Sequence, residues 1–126
     1  MKHCILVVED NEPSRELLSD WLEMEGFDVV AATNLEEALH AFSQQPPHAV
    51  LLDVHLGAED GLWLANWIRD TFEFRKTPVI AVTAHAMITD LERVQQAGCN
   101  ACVSKPIDFK MLRQRLQMYL SEDHTQ

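Results

Sequence analysis

The chain has 126 residues, of which 47% are hydrophobic, enough to bury the core of one domain. We expect a single domain over residues 1–126, with a frayed tail over residues 121–126. Twenty acidic against ten basic side chains give a formal net charge of -10, which argues against nucleic-acid and anionic-membrane binding because both present repelling phosphates.

The sequence also indicates where the protein is located and whether disulfide bonds are expected. It contains no apolar segment of about 20 residues that could span a bilayer, and its start, MKHCILVVEDN, turns acidic too early for a secretory signal. We therefore expect a cytoplasmic protein without membrane insertion. The three cysteines are an odd number in a chain with a good core, so no disulfide framework is predicted.

Short apolar runs rich in β-branched residues alternate along the chain with longer segments of helical period. The runs predict five strands, at Cys4–Val8, Phe27–Ala31, Ala49–Asp53, Val79–Thr83 and Ala101–Ser104. The longer segments predict five helices, at Pro13–Glu25, Leu35–Gln44, Leu62–Thr71, Met87–Ala97 and Phe109–Leu120. This alternation is typical of an α/β domain with three layers, in which a doubly wound parallel sheet lies between helices.

Local signals support several of the predicted helix ends. Pro13 suits the first turn of the first helix and Gly26 a left-handed cap after it. Asn34 begins a capping box, and Asp108 can cap the last helix. The apolar stripe predicted for the first helix comprises Leu17, Leu18, Trp21 and Leu22.

Polar side chains follow four of the five predicted strands. Glu9 and Asp10 follow the first strand, Asp53 ends the third, Thr83 ends the fourth and Lys105 follows the fifth. Because ligands of doubly wound sheets bind outside the carboxyl ends of the strands, these side chains should converge. Three converging carboxylates repel one another unless a cation lies among them. The sequence therefore predicts a site for Mg²⁺, with Mn²⁺ as the alternative hard ion.

Beside a metal ion, Asp53 is a candidate nucleophile, because an aspartate carboxylate can attack phosphorus to form an aspartyl phosphate. The Lys105 ammonium and the Thr83 hydroxyl would then stabilise the charge on the phosphoryl oxygens. Taken singly, an Asp after a strand is most often a helix cap or a turn residue, and a strand-end Thr or Lys usually faces solvent. The hypothesis rests on five positions that share one edge of the sheet.

The segments ILVVEDN, LLDVHLGAEDG, PVIAVTAHAM and AGCNACVSKPID resemble the response regulator receiver domain of two-component signalling, and the resemblance covers nearly the whole chain. It implies the flavodoxin-like and CheY-like fold, with strand order 2-1-3-4-5. It also implies a regulatory phosphoacceptor of a two-component system or phosphorelay, not an enzyme.

The resemblance assigns roles to the residues of the predicted site. Glu9 and Asp10 would bind Mg²⁺ together with Asp53 and the main-chain carbonyl of His55. Asp53 would accept a phosphoryl group from a phosphohistidine. The side chains implied to contact that group are those of Thr83 and Lys105. The peptide bond after Lys105 would be cis, as X–Pro bonds can be.

Within the family, VVEDN, TAHAM and SKPID look most like the receivers of hybrid sensor kinases and phosphorelays. This implies a histidine kinase or a histidine phosphotransfer domain as the phosphoryl donor, and an output partner that the sequence does not identify. If the chain is part of a hybrid kinase, it would lie in the cytoplasmic part of a membrane-bound protein.

Two residues depart from the family pattern. Gly57 stands where many members have Pro, so we expect a more flexible loop after Asp53. Cys102 stands where the family usually has Tyr or Phe. The buried-to-exposed switch of that aromatic side chain cannot operate with Cys102. We predict that the last strand and its flanking helices change less on activation than they do in members with the aromatic residue.

Three alternative interpretations stay open. A pseudo-receiver would be a protein-interaction module that is not phosphorylated. A small phosphatase of the haloacid dehalogenase type also uses an aspartyl nucleophile, but it needs a second acid where this chain has His55. Cys99 and Cys102 form a C-x-x-C motif, but this motif follows a predicted helix, whereas a thioredoxin-like motif opens one.

Trp63 and Trp67 lie four residues apart on the predicted third helix. Aromatic residues at this spacing share one face of a helix. They are either part of the core or a docking patch for a partner.

Overall fold

A computed structural model describes residues 2–84 and 88–122 of the chain, and this part contains seven strands and five helices. The strands are β1 (Cys4–Val8), β2 (Asp28–Ala32), β3 (Ala49–Asp53), β4 (His55–Leu56), β5 (Glu59–Asp60), β6 (Val79–Thr83) and β7 (Ala101–Ser104). The helices are α1 (Glu12–Met24), α2 (Leu35–Gln44), α3 (Leu62–Asp70), α4 (Ile88–Gln96) and α5 (Phe109–Glu122).

Five of the strands form one parallel sheet in the order β2-β1-β3-β6-β7. This is the predicted order 2-1-3-4-5 when the sheet strands are counted along the chain, so the predicted fold is confirmed. The register pairs Val8 with Leu52 and Asp53 with Val82. The strands β1, β3 and β6 therefore end at the same edge of the sheet, beside the point where the strand order reverses.

The core lies in two layers, one on each face of the sheet. On one face, Phe42 of α2 and Ile68 of α3 pack against the sheet. On the other face, Leu22 of α1 and Leu116 of α5 pack against it. Strands β1, β3 and β6 are buried along their whole length because helices cover both faces, which explains their continuous apolar sequences.

The predicted apolar stripe of α1 is wrong at one position. Leu18 and Leu22 are buried, but Leu17 is 57% exposed. Leu18 and Leu22 are four residues apart and therefore share one face of the helix. Leu17 directly precedes Leu18 and points in a different direction around the helix axis.

The predicted helix caps are confirmed. Asn34 Oδ1 accepts the backbone N–H three residues on at 2.8 Å, and Asp108 Oδ1 does the same at 3.2 Å. Gly26 has a positive φ of 96°, which a residue without a side chain adopts at little cost. Helix α1 begins one residue earlier than predicted, with Asn11 as its N-cap.

Two predicted boundaries fall partly outside the described residues. Met87, the predicted start of the fourth helix, is outside them, and α4 begins at Ile88. Helix α5 continues through Glu122, past the predicted start of the tail, and residues 123–126 lie outside the described part. Within residues 2–84 and 88–122, no helix combines the length and apolar character that crossing a bilayer requires.

A small antiparallel hairpin of β4 and β5 follows β3 directly and was not predicted from the sequence. Gly57 and Ala58 form its two-residue turn. Gly57 has φ of 59° and Ala58 has no positive φ, the pattern of a type II′ turn. Proline is confined to φ near -65° and could not take the Gly57 conformation. Gly57, which replaces the family's usual Pro, thus lies in the turn of a hairpin, whereas the sequence indicated a flexible loop there.

Candidate functional site

The predicted site residues lie at the carboxyl edge of the parallel sheet. Asp53 is the last residue of β3 and Thr83 the last residue of β6, whereas Glu9 and Lys105 directly follow β1 and β7. Each is fixed by the strand before it, because the buried apolar strands set the register of the whole edge. The expected convergence at this edge is therefore present.

Three carboxylates meet at this edge, and we call Glu9, Asp10 and Asp53 the acidic cluster. One oxygen from each residue lies within 4.8 Å of the others. Glu9 and Asp53 are buried, at 1% and 7% exposure, whereas Asp10 faces solvent. Carboxylates this close together repel one another unless a cation lies between them. Carboxylate oxygens are the ligands that hard divalent ions such as Mg²⁺ prefer.

Lys105 reaches into the acidic cluster from the start of the loop after β7. Its Nζ lies 2.6 Å from Glu9 Oε1 and 3.2 Å from Asp53 Oδ2. Burial disfavours the charged ammonium, but the hydrogen bonds and charges of the two carboxylates outweigh this and raise the pKa of Lys105. Lys105 is therefore a fixed positive charge beside Asp53.

Glu9 is the most perturbed acid of the cluster. Burial, followed by the neighbouring Asp53 carboxyl, raises the pKa of Glu9 to about 7, and the Lys105 hydrogen bond offsets only part of this rise. The Asn11 amide donates a hydrogen bond to Glu9 Oε2 at 3.2 Å. A divalent ion in the cluster would favour the ionised form of Glu9, so metal and proton compete for this side chain.

The backbone around Asp53 is held on both sides. The His55 amide donates a hydrogen bond to Asp53 Oδ1 at 3.0 Å, which orients the carboxylate. Gly61, directly before α3, packs against the Asp53 backbone so closely that an added Cβ would lie 2.1 Å from the Asp53 carbonyl oxygen. The turn residue Gly57 lies near Asp10, since a Cβ there would be 3.5 Å from Asp10 Oδ2.

Thr83 is fully buried and lies one residue beyond Val82, the register partner of Asp53. The Lys105 amide donates a hydrogen bond to the Thr83 carbonyl at 2.8 Å, which joins the ends of β6 and β7. The Lys105–Pro106 peptide bond is cis, as the resemblance implied. The structure thus places Thr83 and Lys105 side by side at the edge where the acidic cluster lies.

Two residues that support the site were not singled out from the sequence. Gly61 allows the close approach to Asp53, and the DG pair that it forms with Asp60 is a turn signal that could have drawn attention to it. The Arg15 guanidinium of α1 donates to the Glu9 carbonyl at 3.1 Å and holds the acidic loop. Nothing in the sequence pattern distinguishes Arg15 from an ordinary surface residue of α1.

The C-x-x-C motif does not have the chemistry of a redox site. All three cysteines are free. Burial raises the pKa of Cys99 to about 12, and burial also raises the pKa of Cys102. A reactive thiol needs a lowered pKa because the thiolate is the nucleophile. The redox interpretation is therefore not supported.

Solved structures similar to this one are themselves receiver domains. The receiver domain of a signal transduction histidine kinase from Syntrophus aciditrophicus superposes with a TM-score of 0.88 at 28% identity, covering 95% of this chain and 91% of that one. The receiver domain of a sensor histidine kinase from Pseudomonas aeruginosa gives a TM-score of 0.87 at 30% identity, covering 96% and 99%. That structure has a magnesium ion coordinated in its active site cleft.

Sequence comparison leads to the same family. The polar-differentiation response regulator DivK of Brucella anthropi is 38% identical over 122 residues, which cover 97% of this chain and 99% of that protein. The DivK protein of Brucella ovis is 37% identical over the same length. Residues 5–117 match the family model of the response regulator receiver domain. The chain therefore belongs to the response regulator receiver domains of two-component signalling.

Proposed function

We propose that this chain is a phosphoacceptor that takes a phosphoryl group on Asp53. The observation that carries the proposal is the position of the Lys105 ammonium, 3.2 Å from a buried Asp53 that shares its site with two further carboxylates. A positive charge held there can stabilise the negative oxygens of a transferred phosphoryl group.

The acidic cluster is the proposed metal site. Glu9, Asp10 and Asp53 would hold Mg²⁺, or Mn²⁺ in its place, with the His55 main-chain carbonyl as a further ligand. Their oxygens lie close enough to share one ion. When bound, the ion would neutralise charge on the phosphoryl oxygens. The magnesium ion in the Pseudomonas receiver domain supports the same assignment.

In the proposed step, an Asp53 carboxylate oxygen forms a bond to phosphorus while the bond between phosphorus and the donor's imidazole nitrogen breaks. The nitrogen keeps the electron pair of that bond, and an aspartyl phosphate remains on Asp53. The hydrogen bond from the His55 amide to Asp53 Oδ1 orients the carboxylate for this attack. The Lys105 ammonium and the Thr83 hydroxyl would stabilise the transferred oxygens.

The proposed role is regulatory. A histidine kinase or a histidine phosphotransfer domain would donate the phosphoryl group, and the added charge of about -1.5 to -2 would change the surface seen by an output partner. The chain would be located in the cytoplasm, either as a separate protein or as part of a hybrid kinase. Chemistry on the chain itself would be limited to taking up and losing its own phosphoryl group.

The test is incubation with acetyl phosphate and Mg²⁺, followed by intact mass. The wild-type chain should gain the mass of one phosphoryl group, and a chelator should abolish the gain. Asp53→Ala should show no gain. Asp20→Ala, which removes an exposed carboxylate of α1 outside the site, should behave like the wild type.

Each rival function predicts a different result. A pseudo-receiver would show no Asp53-dependent gain in mass. A phosphatase would release inorganic phosphate over many turnovers from unrelated phosphate esters. Either outcome would overturn the proposal.

A further inference from the structure

A groove of about 470 Å³ lies between α2, the β4–β5 hairpin and α3, outside the site described above. Apolar and acidic side chains line it together: Leu35, Glu36, Leu39, Glu59, Asp60 and Trp63. A concave apolar surface with charged walls is a common form of protein docking site.

Trp63 provides the exposed apolar surface of the groove. Its side chain is 48% exposed. Trp67, one turn later on α3, instead packs against Phe42 and Phe74, with ring centroids 5.3 and 5.7 Å away. The tryptophan pair noted in the sequence is thus divided between core and surface. An exposed tryptophan beside partly exposed leucines is the kind of residue that anchors a partner.

The charge of the groove indicates the chemistry of the partner. Three carboxylates, those of Glu36, Glu59 and Asp60, line it, and one guanidinium, that of Arg93, pairs with Asp60 at 2.7 Å. Glu59 is held in place because its Oε1 accepts a hydrogen bond from the Leu35 amide at 3.1 Å. The walls therefore keep an excess of negative charge that basic side chains would complement.

We infer that this groove docks a basic amphipathic helix of a partner protein, with apolar side chains on Trp63, Leu35 and Leu39 and lysine or arginine beside Glu36 and Glu59. A helix suits the groove because its apolar side chains recur every three or four residues, as Leu35 and Leu39 do on α2. A second copy of this chain is a poor occupant, since each copy carries a net charge of -10 and would present acid to acid.

The test is selection of binders from a displayed library of amphipathic helices whose polar face varies between acidic and basic residues. The unphosphorylated wild-type chain serves as bait, so the result does not depend on Asp53 chemistry. Enriched peptides should be basic, and their binding should shift the amide signals of Leu35, Leu39 and Trp63. Affinity should fall about tenfold or more in Trp63→Ser, as expected for an interface anchor.

Two further variants separate this groove from general attraction to an acidic protein. Glu36→Lys should weaken binding of the enriched peptides, because it reverses one wall charge. Met118→Ser should leave binding unchanged, since Met118 is a similarly exposed apolar residue, at 43%, on α5 outside the groove.

Four results would overturn the inference: no enriched peptide, enriched peptides that are acidic, unchanged binding to Trp63→Ser, or amide shifts confined to α1 and α5. Self-association of the wild-type chain that Trp63→Ser abolishes would assign the groove to a second copy instead.

Discussion

The Lys105 ammonium lies closer to Glu9 than to Asp53, with Nζ 2.6 Å from Glu9 Oε1 and 3.2 Å from Asp53 Oδ2. Lys105 therefore shares its charge between the proposed acceptor and a proposed metal ligand. Both the metal and the phosphoryl group must compete with the contacts that Lys105 already makes. Glu9 and Lys105 should accordingly control how the site responds to pH and to metal.

The first prediction concerns stability and pH in the absence of metal. Glu9 keeps its proton up to about pH 7 in the folded chain, against an ordinary value of 4.5. The folded state thus binds more protons than the unfolded state between these values, and the contribution of Glu9 to stability is lost as pH rises through 7. The free energy of unfolding of the wild type, relative to Glu9→Gln, should fall by about 1 to 3 kcal/mol between pH 4.5 and pH 8.

Urea unfolding at several pH values, with a chelator present, measures this difference. Glu36→Gln is the matched control, because it removes an exposed acid outside the site, and its curve gives the baseline for losing one carboxylate. A Glu9→Gln curve that differs from the wild-type curve no more than this baseline does would contradict the prediction.

The second prediction is that Lys105→Met separates metal binding from phosphoryl binding. The Lys105 ammonium occupies the same two carboxylates that the metal needs, so its removal should tighten Mg²⁺ binding by about tenfold, equal to one pKa unit of interaction. Binding of beryllium fluoride, a phosphoryl mimic, should weaken because the ammonium that would balance its negative charge is gone. Titrations followed by tryptophan fluorescence measure both. Loss of both affinities together would show that Lys105 only maintains the local fold.

The third prediction concerns Gly61. A Cβ at this position would lie 2.1 Å from the Asp53 carbonyl oxygen, so Gly61→Ala must push α3 away from β3. The expected cost is about 1 to 3 kcal/mol of stability together with weaker Mg²⁺ binding. Gly26→Ala is the control: its positive φ of 96° carries conformational strain, but a Cβ there meets nothing within 4 Å. It should cost stability without changing Mg²⁺ binding, and equal losses of Mg²⁺ binding in both variants would refute the prediction.

The main features of the fold could be predicted because each depends on local sequence. The apolar runs of β1, β3 and β6 and the caps at Asn34 and Asp108 are signals contained within a few residues. Convergence of the site residues followed from one topological rule, that parallel strands end at a common edge.

The unpredicted features depend on contacts between residues that are distant in the sequence. The β4–β5 hairpin is too short to show strand periodicity, and its Asp60–Arg93 ion pair joins residues 33 positions apart. The Glu9–Lys105 pair spans 96 positions. The strand-end rule brings Glu9 and Lys105 to one edge, but no local pattern predicts that these two charges, or Asp60 and Arg93, contact each other directly. Which of two similar residues is exposed, as with Trp63 and Trp67, is likewise decided by packing in three dimensions.

The fourth prediction concerns Arg69, a partly buried guanidinium of α3. It donates hydrogen bonds to the carbonyls of Gly98 and Thr77, each at 2.8 Å, and to Asn100 Oδ1 at 2.7 Å. Arg69→Met would remove the donor of the Gly98 and Thr77 carbonyls, whereas Asn100 Oδ1 would still accept the Val79 amide, and the expected cost is about 2 to 3 kcal/mol. Thermal unfolding measures the loss. Arg75→Met, which removes an exposed guanidinium from the surface, should change stability little.

The last prediction concerns coupling between the proposed acceptor and α4. The His55 amide contacts Asp53, His55 pairs with Asp60 across the hairpin, and Asp60 Oδ2 accepts from Arg93 of α4 at 2.7 Å. Among the described residues, 2–84 and 88–122, this chain of contacts offers one route from the site to α4 that does not need the aromatic residue that Cys102 replaces. A phosphoryl mimic should therefore change amide exchange in α4 more than in β7.

Arg93→Met should reduce that response. Because the Asp60–Arg93 pair is about half exposed, its loss should cost less than about 1 kcal/mol of stability, so a smaller response in α4 cannot be ascribed to unfolding. Arg113→Met is the matched control, since it breaks an ion pair with Glu25 that lies outside the site. Hydrogen exchange of the wild type, Arg93→Met and Arg113→Met, each with Mg²⁺ and beryllium fluoride, measures the α4 response. An α4 response that survives in Arg93→Met, or a large deprotection of β7, would show that the signal takes another route.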